Sequence, residues 1–326
     1  MNRILVTGSA GHLGEALMRT FRDQGQAARG IDLQRSPFTD ASGSIADRGF
    51  LREAMAGCDA VLHTATLHKP HVGSHGRQDF IDTNVTGTLH LLEEAVAAGV
   101  KAFVFTSTTS AFGRALTPPP GEPAAWITEA VAPVPKNIYG VSKVAAEDLC
   151  ELMQRLTGLP VLVLRTSRFF PEDDDDPQAR AAHAADNLQA NEFLYRRVDL
   201  EDVVDAHLCA LRAAPQLKFG RYIVSATTPF LPEDLAELRR DAAAVVRRRV
   251  PGWEDLYRER GWSMFDSIDR VYVNAAARAD LGWAAKTDFA AVVQRLRTTG
   301  ELRSPLARAV GVKGYHPERS AIYPFA

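Results

Sequence analysis

The stretch Thr7-Gly8-Ser9-Ala10-Gly11-His12-Leu13-Gly14 decides how the rest of the chain is read. It lies between a short apolar run, Ile4 to Thr7, and a segment, Leu13 to Gln24, whose apolar residues recur at helical spacing. Its glycines stand in a G-x-x-G-x-x-G order. Between a strand and a helix each has a physical use: Gly8 permits the tight turn, Gly11 lets the backbone approach a pyrophosphate, and Gly14 lets the helix pack close. The helix start then offers unpaired N–H groups and a positive dipole end to the phosphates. A glycine triplet alone is a weak signal, and its place between strand and helix gives it weight.

Outward from this loop, Ala28 to Asp32, Ala60 to His63, Ala102 to Thr106 and Val161 to Arg165 read as further short strands, apolar enough to be covered on both faces. Phe80 to Ala98 and Tyr139 to Leu156 read as helices, with Gly25, Gly99 and Gly158 where C-caps belong. This alternation predicts an α/β fold, a Rossmann-type doubly wound parallel sheet, in residues 1–165. Residues 166–326 are expected to return partly to that core and to form a smaller substrate-binding domain. Within them the pattern predicts an acidic loop from Pro171 to Pro177, helices at Glu201 to Ala213, Pro232 to Arg248 and Phe289 to Thr298, and a strand near Tyr222. The Pro-rich stretch Leu116 to Pro135 reads as a long loop over the sheet edge, and the aromatic tail Lys313 to Ala326 as a docked surface segment.

Bulk composition bounds the function. A chain of 326 residues that is 46% hydrophobic and 24% charged has ample material for a large core. Its net charge of -2 gives no basic field, so nucleic acid and anionic membrane are not expected partners and a small molecule is. No apolar run approaches a membrane span and the first strand starts almost at Met1, which predicts a cytoplasmic protein. Cys58, Cys150 and Cys209 are odd in number and widely spaced, as reduced packing residues are.

Asp32 closes the second strand about 20 residues beyond the loop, where a carboxylate accepts hydrogen bonds from a ribose and repels a 2'-phosphate. NAD is therefore expected over NADP, with Arg35 the counter-signal. Tyr139-Gly140-Val141-Ser142-Lys143 places a phenol and an ammonium on one helical face. A nearby cation stabilises a phenolate, so Tyr139 can exchange a proton with a substrate hydroxyl. The strand Phe103 to Thr106 opens into a hydroxyl-rich turn, Ser107-Thr108-Thr109-Ser110, at the sheet end where such folds bind ligands.

Taken together, the TGSAGHLG loop, Asp32, Ser44 to Asp47, Val61 to Ala65, Asn84 in NVTGT, the STTSAFG turn and YGVSK resemble the extended short-chain dehydrogenase/reductase family, in its NAD-dependent epimerase/dehydratase branch. The resemblance spans residues 1 to about 213. It implies Thr108, Tyr139 and Lys143 as catalytic residues, with Ser107 and Thr109 as neighbouring hydroxyls and Lys143 also holding the nicotinamide ribose. It implies a cofactor site of Gly8, Ala10, Gly11, His12, Leu13, Gly14 and Asp32, with Ile45 near adenine and His63, Thr64 and Ala65 beneath the cofactor. Asn84 is either on the cofactor side or satisfied by neighbouring backbone. A homodimer through the Phe80 to Ala98 and Tyr139 to Leu156 helices is also implied.

The chain departs from the branch in instructive places. Arg168 stands where nucleotide-sugar enzymes carry Asn, offering a planar cation for a carboxylate or phosphate, and an Arg-Pro-Gly-Asp signature is not evident around Arg249-Val250-Pro251-Gly252. Thr109, Arg168 and Arg270 are the substrate-side candidates. His63, His68, His71 and His75 match no zinc spacing, so no metal is expected, and Asp173 to Asp176 read as a solvated loop. The expected function is NAD-dependent oxidation of a secondary hydroxyl on a sugar or sugar derivative through a keto intermediate, with or without return of hydride. The alternatives are a dehydrogenase or reductase of a small non-nucleotide substrate and, behind it, a non-catalytic dinucleotide-binding protein. Thr109 and Ser110 stand where a dehydratase carries an acid/base pair, which argues against elimination.

Overall fold

The computed structural model describes residues 3–174 and 177–313. Its strands are β1 (Ile4–Thr7), β2 (Ala28–Asp32), β3 (Ala41–Ser42), β4 (Ala60–His63), β5 (Ala102–Thr108), β6 (Ala125–Ile127), β7 (Val161–Thr166), β8 (Phe219–Val224) and β9 (Arg270–Tyr272). Seven of them form one parallel sheet in the order β3-β2-β1-β4-β5-β7-β8, and β6 pairs separately with β9. The chain runs outward from β1 to β3, then crosses back to β4 on the other side. That reversal opens a crevice at the C-terminal ends of β1 and β4.

Alternation along the strands explains the layers. Ile4, Val6, Leu62, Val104, Leu162 and Leu164 pack under the helices His12–Asp23 and Leu200–Leu217. Leu5, Ile31, Val61, Phe103, Phe105 and Val163 face the helices Gly87–Ala97 and Ile138–Thr157. Both faces are dry, as a parallel sheet requires. A separate core gathers Leu194, Phe230, Val245, Trp253, Tyr257, Phe289 and Leu296 from the second half of the chain. The helix Leu200–Leu217, β8 and the segment carrying Ala277, Leu281 and Trp283 return to the sheet.

Gly25, Gly99 and Gly158 do end helices in the left-handed region, with φ of 64°, 69° and 77°. Two expectations need correction. Pro232 to Arg248 is a short turn, a four-residue helix and then a helix at Ala242–Arg249, because the Asp241 side chain accepts from the Ala244 N–H and starts a new helix. Leu116 to Pro135 is not all loop, since β6 lies within it and pairs with β9, Ala125 opposite Arg270. The predicted tail lies outside the described residues beyond Lys313, as do Asp175 and Asp176 of the acidic loop. Among the described residues the three cysteines are free and buried, and no helix is long and apolar enough to cross a membrane.

Candidate active site

A cleft of about 600 Å³ runs along the C-terminal ends of the strands. One end is built by the glycine loop. Register pairs Thr7 with Ile31 on one side and His63 on the other, so the loop, Asp32 and Thr64 lie abreast. Gly8 has φ +71°, and a Cβ there would meet the Ala65 nitrogen at 2.7 Å. A Cβ on Gly14 would sit 1.9 Å from the Gly8 carbonyl oxygen, so its close approach is to the loop itself. Gly11 is the N-cap of the His12–Asp23 helix and has no side chain to cap it, unlike Asn137, Asp47 and Asp199 at other helix starts. First-turn donors are thus left for an anion.

Asp32 accepts from the Ala10 N–H at 3.0 Å and the Gln34 N–H at 2.9 Å, which fixes its carboxylate at the cleft. Arg35 is exposed and absent from the lining. Ala10, His12, Leu13, Ile45, Thr64 and Ala65 line the same end, and this surface suits a dinucleotide with a free 2'-hydroxyl. The Asp47 side chain starts the next helix by accepting from the Gly49 and Phe50 N–H groups, which holds the Ile45 turn in place.

At the other end Thr108, the last residue of β5, accepts from the Ser110 N–H at 3.1 Å. Its hydroxyl faces the Tyr139 phenol closely enough to favour the phenolate, and both residues line the cleft. Burial pushes the phenol up to about 12, and the Thr108 hydroxyl opposes that rise. Asn137 caps the helix that carries Tyr139 by accepting from the Gly140 N–H at 3.0 Å. Thr109 lines the cleft as well, its hydroxyl reaching the Thr166 carbonyl at 3.4 Å.

Lys143 is buried behind this wall. Its Nζ donates to the Thr106 carbonyl at 2.6 Å and lies 4.0 Å over the Phe105 ring, so in this structure the ammonium is not on the phenol. Burial pulls Lys143 down to about 7, against the opposing charge of Glu147. His63 and Asn84 also lie outside the lining. The Thr7 hydroxyl bonds His63 Nδ1 at 2.8 Å and Thr88 bonds Nε2 at 3.0 Å, and burial first, then Lys143, lowers the ring far below the usual histidine range. Asn84 sits in a π-helical turn and ties Leu67 to Ser142, a linkage that shapes the loop over the cleft.

The substrate-side candidates Arg168 and Arg270 both line the cleft. Three further features were not anticipated. Arg196 joins the two arginines, and its only sequence signal was the Arg196-Arg197 pair before the Leu200–Leu217 helix. Glu172 lines the cleft and meets His12 of the glycine loop at 2.8 Å. Ser107 Oγ donates to buried Glu147 at 2.5 Å, which also takes the Arg165 guanidinium. Among the described residues no cluster suits a metal ion.

Comparison with known proteins places the chain in a family. The profile of the NAD dependent epimerase/dehydratase family matches residues 4–224. An uncharacterized protein of Sinorhizobium fredii, y4nG, is 33% identical over 167 residues, 49% of this chain and 39% of that protein. The uronate dehydrogenase of Pseudomonas putida is 27% identical over 180 residues, 52% of this chain and 62% of its own length. The chain thus spans less than two thirds of each of these two relatives, 39% of one and 62% of the other. A Mycobacterium tuberculosis 3 beta-hydroxysteroid dehydrogenase/Delta 5-->4-isomerase is 29% identical, with 87% of this chain and 86% of that protein aligned. A solved short-chain dehydrogenase/reductase superfamily protein from Agrobacterium tumefaciens, with bound NAD, is 26% identical with a TM-score of 0.63, covering 93% of this chain and all of that one.

Proposed function

The chain belongs to the NAD-dependent epimerase/dehydratase family, and from that premise we propose that it is an NAD-dependent oxidoreductase or epimerase acting on a secondary hydroxyl of a sugar or sugar derivative, through a keto intermediate. The observation that carries this reading is that Tyr139 and Thr108 share the wall of the cleft that also contains the glycine loop and Asp32, with the Thr108 hydroxyl favouring the phenolate. The loop would hold the pyrophosphate and Asp32 the adenosine ribose, favouring NAD over NADP. Bound NAD would supply the hydride acceptor.

The protein's own part is proton handling and orientation. Thr108 would hold the substrate oxygen beside Tyr139, which takes the hydroxyl proton as the carbonyl forms and returns it on reduction. With its phenol raised by burial, Tyr139 must first lose its own proton before it can take one from the substrate hydroxyl, whereas in the reductive direction it already holds the proton to be given. A cation is then needed to stabilise the phenolate, and Lys143, one turn along the same helix, would supply it on leaving the Thr106 carbonyl.

A net dehydrogenase or reductase of a small non-nucleotide substrate is the second reading. It is favoured by Arg249, which pairs with Asp234 and Glu233 and is absent from the cleft lining, so the nearest echo of a nucleotide-binding signature is not at the site. Accumulation of NADH distinguishes this reading from epimerisation, which returns the hydride. Under both readings Tyr139→Phe should lose about 100-fold or more in turnover while still binding NAD. A folded Tyr139→Phe protein as fast as wild type overturns both.

A homodimer fits the exposed apolar residues Val96, Val141, Leu152 and Leu156 on the Gly87–Ala97 and Ile138–Thr157 helices. Sedimentation as a monomer at micromolar concentration removes that part of the proposal.

A further inference from the structure

The cleft is far more cationic than the chain. Lys69, Lys136, Arg168, Arg196 and Arg270 line it against the carboxylates Asp32 and Glu172, in a protein of net charge -2. Both carboxylates are engaged at the dinucleotide end, Asp32 by the Ala10 and Gln34 N–H groups and Glu172 by His12. No lining carboxylate is left to meet the three arginines at the substrate end. What neutralises them lies elsewhere: Arg168 pairs with Asp174, Arg196 with Asp174 at 3.1 Å and Glu192 at 2.8 Å, and Arg270 with Asp269 at 2.9 Å.

Two of these guanidinium groups flank one ring. Arg196 lies 5.4 Å and Arg270 5.7 Å from the centroid of Tyr195, close enough for each to oppose the charge of the other. Arg196 spends only Nη2 on its carboxylates and Arg270 only Nη1. Their other terminal nitrogens donate to nothing among the described residues, and both Nε atoms are buried without a partner. In the same lining Ser167, 2% exposed, has a buried hydroxyl that is likewise unpartnered among the described residues. Repelling cations with spare donors on a cleft wall form a site that an oxyanion completes, and guanidinium suits a planar one because parallel N–H groups match two oxygens.

We propose that the substrate bears a carboxylate held between Arg196 and Arg270, with Ser167 as an adjoining hydrogen-bond partner. For the position of the reacting hydroxyl, at Tyr139 and Thr108, the inference rests on the function proposed above. The anion site itself rests on the arginines. The enzyme would then act on acidic sugars in preference to neutral ones.

The test measures binding and turnover separately on the full chain with NAD. Calorimetric titration with galacturonate and glucuronate should show at least about tenfold tighter binding than galactose and glucose, since a charge-assisted pair is worth on the order of 1.4 kcal/mol or more. Arg270→Gln and Arg196→Gln should each shrink that preference several-fold, and Arg270→Lys should retain part of it. NAD binding by each variant checks that the fold survives, and Arg270→Gln is the milder of the two because its described ion pair is with the adjacent Asp269 alone.

Equal affinity for acidic and neutral sugars, absence of binding by any of them, or a full preference in both Gln variants overturns the proposal. Tighter binding of the sugar 1-phosphates than of the uronates overturns the assignment to a carboxylate. A Tyr139→Phe protein that keeps both the acid preference and wild-type turnover sinks the catalytic reading while leaving the anion site standing.

Discussion

Lys143 and Glu147 stand one turn apart on the Ile138–Thr157 helix, where burial pulls the lysine down to about 7 and the carboxylate holds it up. Glu147 is itself 1% exposed and takes Ser107 Oγ at 2.5 Å and Arg165 Nη2 at 2.6 Å. One carboxylate thus ties the helix of Tyr139 to β5 and β7 and supports the charge of the residue expected to steady the phenolate.

Glu147→Gln should therefore let Lys143 lose its proton at lower pH than in wild type. The fall in activity that follows loss of the Lys143 proton, near pH 7 in the wild type, should move to lower pH, and an unchanged pH profile would show that the two groups are not coupled. Glu147→Ala leaves Arg165 buried without its partner and should cost about 3–5 kcal/mol in denaturant unfolding.

Thr108→Val removes the hydroxyl that opposes the rise of the Tyr139 phenol. The group should then ionise at still higher pH, so the rising limb of the oxidation rate should move upward in pH. A loss of about 10- to 100-fold in kcat/KM should accompany it, the range of one or two hydrogen bonds to a reacting oxygen. A profile that does not move would exclude a direct Thr108–Tyr139 linkage during turnover.

Asp32→Ala should weaken NADH binding about tenfold and narrow the preference over NADPH, both read by fluorescence titration. Part of the loss comes from the freed Ala10 N–H, now held by Asp32 at 3.0 Å. A variant that still rejects NADPH as strongly as wild type would place the discrimination elsewhere.

Gly14→Ala tests the loop directly, because the added Cβ would lie 1.9 Å from the Gly8 carbonyl oxygen. The loop must shift to accept it. Loss of dinucleotide binding together with about 1–3 kcal/mol of stability is expected, and full NAD affinity in this variant would contradict the packing described.

His207 predicts acid sensitivity. It is fully buried, with Nε2 to Thr106 Oγ1 and Nδ1 to the Val203 carbonyl, both at 2.8 Å, and burial lowers it to about 4. A folded value below the unfolded one means that its contribution is complete above about 6.5 and is lost as pH falls toward 4. At pH 5 this amounts to about 2 kcal/mol. Urea unfolding of His207→Gln at pH 7 and pH 5 should show a smaller loss than wild type.

The features legible in the chain are those whose meaning is local. Gly8, Gly11 and Gly14 define a turn within eight residues, Tyr139 and Lys143 are set by helical spacing, and the strand runs announce a doubly wound sheet through their own hydrophobicity. Periodicity could not reveal that Asp241 restarts a helix, since one side-chain bond to Ala244 outweighs a continuous pattern. Nor could it show that Lys143 turns to Thr106, that Ser107 meets Glu147 40 residues away, or that His12 pairs with Glu172. Arg196 and Arg270 come together because β9 runs beside the Tyr195 segment, where the Tyr272 N–H donates to the Tyr195 carbonyl at 3.3 Å. Glycine spacing and helical periodicity are properties of neighbouring residues and survive in the linear chain. A charged cleft depends on which distant side chains share one low-dielectric wall, and that follows from packing.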